Sequence, residues 1–565
     1  MLKWLNKAKI PTALAFAYWL FINIVYVDGY FYGKSSFFIT ALFKGTALIA
    51  AIAFANFIAA QIRRAKTDQL HRTFLKRSLL YFGIMFVFLL LVWPGIYVHD
   101  DIGVFSKATA LIADPWQHFL SSVHMITSIM LLPIASAPVF FQCLFASLIV
   151  GYISTYTPTV LTENAKKQKK LTIALFIIFL LPPVILHVLC GYRMSIYQYF
   201  EAFILLYFYI HYKKAEKIST PKMIYLLFLM ILLCSWRSEG IYYLIGLPVL
   251  FYIIRKPLFT MRQIAIYSLI LIVATLGISK VNNKLIGSNS YSLGALMVPI
   301  SGIIDGAIES NDEETLAIYD KAFNIQCIKD NNIAKMPERI FWDCFRSDND
   351  EVISLTTKTT IKLAPKYLGS IIEKYSDVLC DAFLGIKCGA YNTGQTGATY
   401  IADWSNYYFS TQAEEEGFAF FERVDIPFNR PISLRVHRAM VNFLTGRMPN
   451  AEFDPQYLLK KYDSPSYAIP VYYQLFYSLI IPTVAIIAAF VIAIRRKKWV
   501  LLWIIVLIAG RAVIVSATGM ASYLMYFMPF YISSLVFFIV VIAEENISKV
   551  KKVAKNAKVA KKSRK

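Results

Sequence analysis

Long apolar runs separated by short basic clusters dominate this 565-residue chain. A run of about 20 apolar residues crosses a bilayer once as a helix. Runs at 11–27, 37–60, 78–97, 139–156, 171–189, 196–212, 223–236, 241–254, 264–278, 468–494, 499–515 and 520–543 predict about twelve spans. Threaded in alternation, they bring the Lys/Arg clusters at 61–77, 165–170, 211–217, 255–262 and 495–498, and the basic tail, to one side. Basic loops mark the cytoplasmic side. Both termini are therefore expected to be cytoplasmic. The first run has no small-x-small cleavage site in a suitable place and reads as an uncleaved anchor. The fold class expected is an all-α, multi-pass protein of the cell membrane.

The polar stretch 281–466 is too long for a loop without structure of its own. Apolar residues recur at helical spacing over 350–379 and 432–443, so a mainly helical extracytoplasmic domain is expected. The Gly/Thr/Tyr-rich stretch 389–404 predicts a loop over the membrane surface. The chain then divides into a membrane module over 1–280 with an external loop at 98–136, the external domain 281–466, a second membrane part at 467–545, and a basic cytoplasmic tail at 546–565.

Composition agrees: 57% of residues are hydrophobic and 16% charged, against about 25% charged in soluble domains. The net charge of +23 is unevenly spread. Residues 281–466 hold 24 acids and 18 bases, which leaves 11 acids and 40 bases elsewhere. Bases in short loops and a tail fit membrane orientation and attraction to anionic lipid, and argue against a nucleic-acid-binding face. No nucleotide loop, HExxH or CxxC is present.

Candidate chemistry gathers at the ends of runs. His99, Asp100 and Asp101 follow the third run, before two short helices expected at 105–112 and 117–132 that lie in the outer interface. A carboxylate pair at the membrane rim suits acid–base chemistry or metal binding on a membrane-resident substrate; the plainer reading is two solvated loop acids. Arg193, Arg237, Glu239 and Arg511 fall at or near outer ends of runs. Guanidinium groups suit phosphate, and Arg511 inside an apolar run needs a cavity or a partner. The alternatives are snorkelling and a self-satisfied Arg237–Glu239 pair. His118 and His124 are not on one helical face, so zinc is not expected. Cys143, Cys190 and Cys234 lie in or near runs and read as buried thiols. Cys327, Cys344, Cys380 and Cys388 share the external stretch, and proximity pairs Cys327 with Cys344 and Cys380 with Cys388.

The His99-Asp100-Asp101 motif in the first large external loop, the two surface helices behind it and the arginines at later span ends together resemble the GT-C superfamily of membrane glycosyltransferases. The resemblance covers most of 11–240 and loosely the last three runs. Two features depart from the usual layout. The acid pair follows the third run instead of the first, and the large external stretch precedes three further runs. The resemblance implies transfer of a sugar from a polyprenyl-phosphate donor to an envelope glycan or lipid acceptor on the extracytoplasmic face, typically with inversion. It implies Asp100 or Asp101 as general base, with the other positioning the acceptor or a metal. Arg237 and Arg511, and then Arg193, would hold the donor phosphate, with His99 and Glu239 supporting. Some members use a divalent cation, Mg or Mn, and others none. A flippase or transporter, or a polymerase or ligase of lipid-linked glycans, is the competing reading.

Overall fold

The computed structural model describes residues 2–24, 36–114, 117–191, 194–286, 290–347, 349–384, 393–446, 475–519 and 523–544. Helices dominate, and no strand occurs among the described residues. Six described helices are long and apolar enough to cross a membrane: Phe37–Thr67, Gln69–Leu91, Ala137–Leu161, Met261–Leu285, Trp499–Thr518 and Leu524–Ala543. The pair Ala165–Ile178 and Pro182–Leu189, bent by 55°, makes a seventh if counted as one span. The protein is thus a helical membrane protein. The other apolar helices, among them Thr220–Ser235, Ser238–Ile253 and Ile480–Arg495, are shorter than a full crossing.

Several boundaries differ from the sequence reading, each for a local reason. The basic segment 61–77, expected as a loop, is almost wholly helical. Asp68 alone interrupts it, ending the helix Phe37–Thr67 and accepting a hydrogen bond from His71 N at 3.0 Å to start the next. The acid pair lies in the first turn of a helix, His99–Thr109, not in a loop before one. Residues 393–408, in large part expected as surface loop, form the helix Thr393–Tyr408. Burial of Ile401, Ala402 and Tyr408 in the main core overrides the weak helical propensity of its Gly and Thr residues.

Helices Gln69–Leu91 and Ala137–Leu161 form the backbone of the bundle. They meet so closely that a Cβ on Gly151 would sit 2.0 Å from Ser78 Oγ, the small-residue contact that lets membrane helices pack backbone to backbone. The basic clusters gather at one end. There His71 Nδ1 lies 3.2 Å from the Tyr156 hydroxyl, Arg77 donates to Ser154 O, and Lys213 and Lys498 both pair with Glu544. At the opposite end the chain leaves Gln69–Leu91 through Gly95, whose φ of +143° favours glycine. Ile96 N then donates to Leu189 O and Gly191 N to Ile96 O, both at 2.9 Å. This clip fixes where His99–Thr109 begins.

The stretch expected as one external domain divides between two cores. Helices from Met297–Glu309 to Leu368–Leu384 enclose their own core, which includes Ile303, Tyr319, Ile340 and Ile371. The helices Thr393–Tyr408 and Leu434–Thr445 join the main core instead. The first lobe meets the membrane helices where Tyr375 Oη donates to Ala517 O and Tyr523 Oη to Glu338 Oε1. Cys380 is disulfide-bonded, and Cys388 lies outside the described residues. Cys327 and Cys344 are bonded to each other within the lobe, 17 residues apart. Closing a loop of that length restricts the unfolded chain by roughly 3 kcal/mol. Cys327→Ser/Cys344→Ser protein should therefore lose protease resistance in this lobe first, seen as earlier cleavage between 297 and 384. Unchanged cleavage would mean that the bond stabilises nothing.

Candidate functional site

Two polar centres occupy the end opposite the basic clusters. The first surrounds the acid pair. Asp101 is fully buried, and its Oδ2 accepts from Val98 N at 3.3 Å, reaching back to cap its own helix. Asp100 is half-buried in the same first turn. A helix N-terminus favours a carboxylate in its charged form, the form a base must hold. The two acids therefore differ in what they can do. Asp101 is tied to the backbone, and Asp100 is the more accessible.

Residues about 300 positions further on close over the pair. His99 Nδ1 and the Tyr408 hydroxyl are 2.6 Å apart, and the His99 ring lies 5.1 Å from Trp404. Trp404 and Tyr408 are one helical turn apart and face the same way. Phe420 packs on Tyr97 at 4.7 Å and on Phe105 at 6.1 Å, and Arg423, three residues on, lies over the Phe418 ring at 4.3 Å and acts electrostatically on His99 and Tyr408. Burial lowers the His99 imidazole below its ordinary value; Asp100 opposes this and Arg423 adds to it. Burial likewise raises the Tyr408 phenol, and Arg423 works against that rise. The site thus offers a carboxylate, an imidazole hydrogen-bonded to a phenol, and an indole ring beside them.

The second centre is buried among the helices. Arg511 reaches Glu201 Oε2 at 3.5 Å and Glu239 Oε1 at 3.3 Å. Arg237 Nε lies 2.6 Å from the same Glu239 oxygen, and Tyr243 Oη donates to Glu201 Oε2 at 2.5 Å. Tyr197 and Tyr526 present ring faces to Arg511 and Arg237, at 5.3 and 4.8 Å. Two cations and two anions make a neutral group joining the helices Met194–Lys214 and Trp499–Thr518 to the turn after Thr220–Ser235. Arg237 Nη1 and Arg511 Nε stay buried with no hydrogen-bond partner among the described residues, so each guanidinium retains donor capacity beyond its carboxylates.

The helix Phe119–Leu131 links the two centres. Asp114, which pairs with Lys107 at 3.4 Å, donates from its backbone N to Ser122 Oγ, while Ser121 Oγ accepts from Trp236 Nε1, both at 3.0 Å. Arg193 lies outside the described residues. Sequence reasoning missed Glu201, Arg423, Trp404 and Tyr408. Among the described residues no group of three His, Cys, Asp or Glu is arranged to hold a metal. Comparison with family models, curated proteins and solved structures returns no match.

One histidine nearby reports on assembly. His437, fully buried, places Nε2 3.4 Å from Gly95 O and its ring 4.8 Å from Phe409. Burial drives it from 6.5 to about 4. The unfolded chain therefore binds the extra proton first, and stability rises with pH across that window. Its contribution is complete above pH 6.5 and lost as pH falls to about 4. A gap of that size corresponds to roughly 3 kcal/mol. Thermal unfolding at a series of pH values should show this acid slope in the wild type and a flatter one in His437→Gln; equal slopes would exclude His437 as its source.

Proposed function

We propose that the protein is a GT-C-like membrane glycosyltransferase, drawing a sugar from a polyprenyl-phosphate donor and passing it to an envelope glycan or lipid acceptor. The basic end is read as cytoplasmic, with both termini there, and the acid pair as facing outward. The supporting observation is Asp100: a half-buried carboxylate at a helix N-terminus, on the bundle end away from the basic clusters, next to His99, which is hydrogen-bonded to Tyr408.

Asp100 takes the proton of an acceptor hydroxyl, which is a poor nucleophile until deprotonated. The oxygen bonds to the anomeric carbon as the bond to the phosphate oxygen breaks. Polyprenyl phosphate leaves with the electron pair. Its growing charge calls for cations, and Arg237, with a nitrogen to spare, and Arg423 are the ones this reading assigns. Arg511 holds Glu239 and so positions Arg237. Trp404 offers a flat face to a sugar ring.

Envelope glycan composition with and without the protein tests the reading. Loss of one sugar or branch is expected. Loss of a whole polymer from the surface would overturn it in favour of a flippase or polymerase.

A further inference from the structure

Three bases from separate helices converge on one aromatic wall at the basic end of the bundle. Arg64 stands in the last turn of the helix Phe37–Thr67, Lys214 in the last turn of Met194–Lys214, and Lys222 in the first turn of Thr220–Ser235. All three are exposed. Lys214 Nζ lies 5.7 Å from the centre of the Tyr156 ring. Arg64 acts electrostatically on Tyr152, Tyr156 and Tyr207, and Arg64 and Lys214 both act on Lys222. Exposed charges are screened beyond roughly 8 Å at physiological salt, so groups that feel one another here share one small volume.

The local structure holds them there. Arg72 Nε and Nη2 donate to Ala65 O and Lys66 O at 3.0 and 3.2 Å, which ties the turn carrying Arg64 to the following helix. Ala215, at φ +55°, turns the chain back between Lys214 and Lys222. The wall is fixed from behind: His71 Nδ1 lies 3.2 Å from the Tyr156 hydroxyl, and the Tyr152 ring is 4.7 Å from Tyr156 and 5.5 Å from Tyr207. Two acids lie within reach. Asp68 pairs with Arg64 at 3.4 Å, but its other oxygen accepts from His71 N and starts the next helix. Glu216 is exposed and acts on Lys222. Three cations against two anions leave the cluster positive, and repulsion among the bases is relieved by an anion between them. The neighbouring residues say which anion. Ile62, two before Arg64, and Ile224, Tyr225 and Phe228, just after Lys222, are exposed on apolar helices of the bundle and so face lipid. The bases therefore stand where acyl chains give way to headgroups.

We propose that Arg64, Lys214 and Lys222 bind the phosphate of an anionic phospholipid in the leaflet at the basic end. Arg64 forks onto two phosphate oxygens, as a planar guanidinium does. The two ammonium groups neutralise the remaining charge as point cations, and the acyl chains lie against Ile62, Ile224 and Phe228. This inference rests on the membrane fold and stands whether or not the chain transfers sugars.

The test uses the full-length protein in nanodiscs of phosphatidylcholine with phosphatidylglycerol, and native mass spectrometry counts the phosphatidylglycerol retained on release. Retention should fall about fivefold for each of Arg64→Gln, Lys214→Gln and Lys222→Gln, and about a hundredfold for the three together. Lys166→Gln/Lys169→Gln/Lys170→Gln protein loses as many exposed charges from the same end, on the helix Ala165–Ile178, and should retain lipid as the wild type does. Equal losses in the two triple variants would mean general attraction of lipid to a basic surface and overturn the site, as would unchanged retention in the first. Inorganic phosphate in excess should leave the wild type's phosphatidylglycerol in place. Its displacement would assign the site to a soluble phosphate and overturn the lipid.

Discussion

Arg511→Ala protein is expected to lose about 3–5 kcal/mol of stability, the usual consequence of removing one partner from a buried charge group. The reason lies in the geometry. Arg511 lies between Glu201 and Glu239, fully buried, and Glu239 is shared with Arg237. Without Arg511, Glu201 keeps the Tyr243 hydroxyl but loses its cation, and an isolated carboxylate in an apolar bundle is strongly disfavoured. Arg511→Lys should fall between, because an ammonium cannot fork to two carboxylates. Adding Glu201→Gln to Arg511→Ala should recover part of the loss by removing the stranded charge. Unfolding in one detergent measures all four proteins. If Arg511→Ala melts with the wild type, or Glu201→Gln recovers nothing, the neutral group does not hold the helices together.

Asp100→Asn should lower the rate of sugar transfer by roughly 10²–10⁴, the range for loss of a positioned general base. The amide is nearly isosteric, so insertion and melting should match the wild type. Asp101→Asn should behave differently. Its amide oxygen can still accept from Val98 N, so a smaller rate effect is expected. Asp101→Ala removes the cap, at about 1 kcal/mol, and loosens the helix start that carries Asp100. Labelled sugar transferred in membranes matched for protein content measures each variant. Full activity in Asp100→Asn would remove it from the reaction.

Much of this was legible along the chain because apolar runs and loop charges are local signals. The helices Trp499–Thr518 and Leu524–Ala543 lie where hydropathy placed spans, Gln69–Leu91 overlaps its run at 78–97 but starts and ends earlier, and the basic clusters at Lys213 and Lys498 meet at Glu544. The acid pair was visible as two charges at the rim of a run. Its helix start was not, because that depends on Asp101 reaching back to Val98. Arg423, Trp404 and Tyr408 were invisible for a different reason. They sit on segments remote in sequence, and only tertiary packing through Phe420 and His99 brings them to the site. Glu201 did leave a signal: one carboxylate in the apolar stretch YQYFEAFILLYF. A lone acid there calls for a buried cation, and Arg511 supplies it.

The catalytic reading stands on which side of the membrane Asp100 faces, and that can be read without knowing the substrate. Lys107 and Lys169 are exposed, at the acid-pair end and in the basic first turns of the helix Ala165–Ile178 respectively. Lys107→Cys and Lys169→Cys are to be labelled in intact cells with a membrane-impermeant maleimide, then again after lysis. The account predicts labelling of position 107 in intact cells and of position 169 only after lysis. The reverse pattern would put Asp100 in the cytosol, away from any externally held donor, and contradict it.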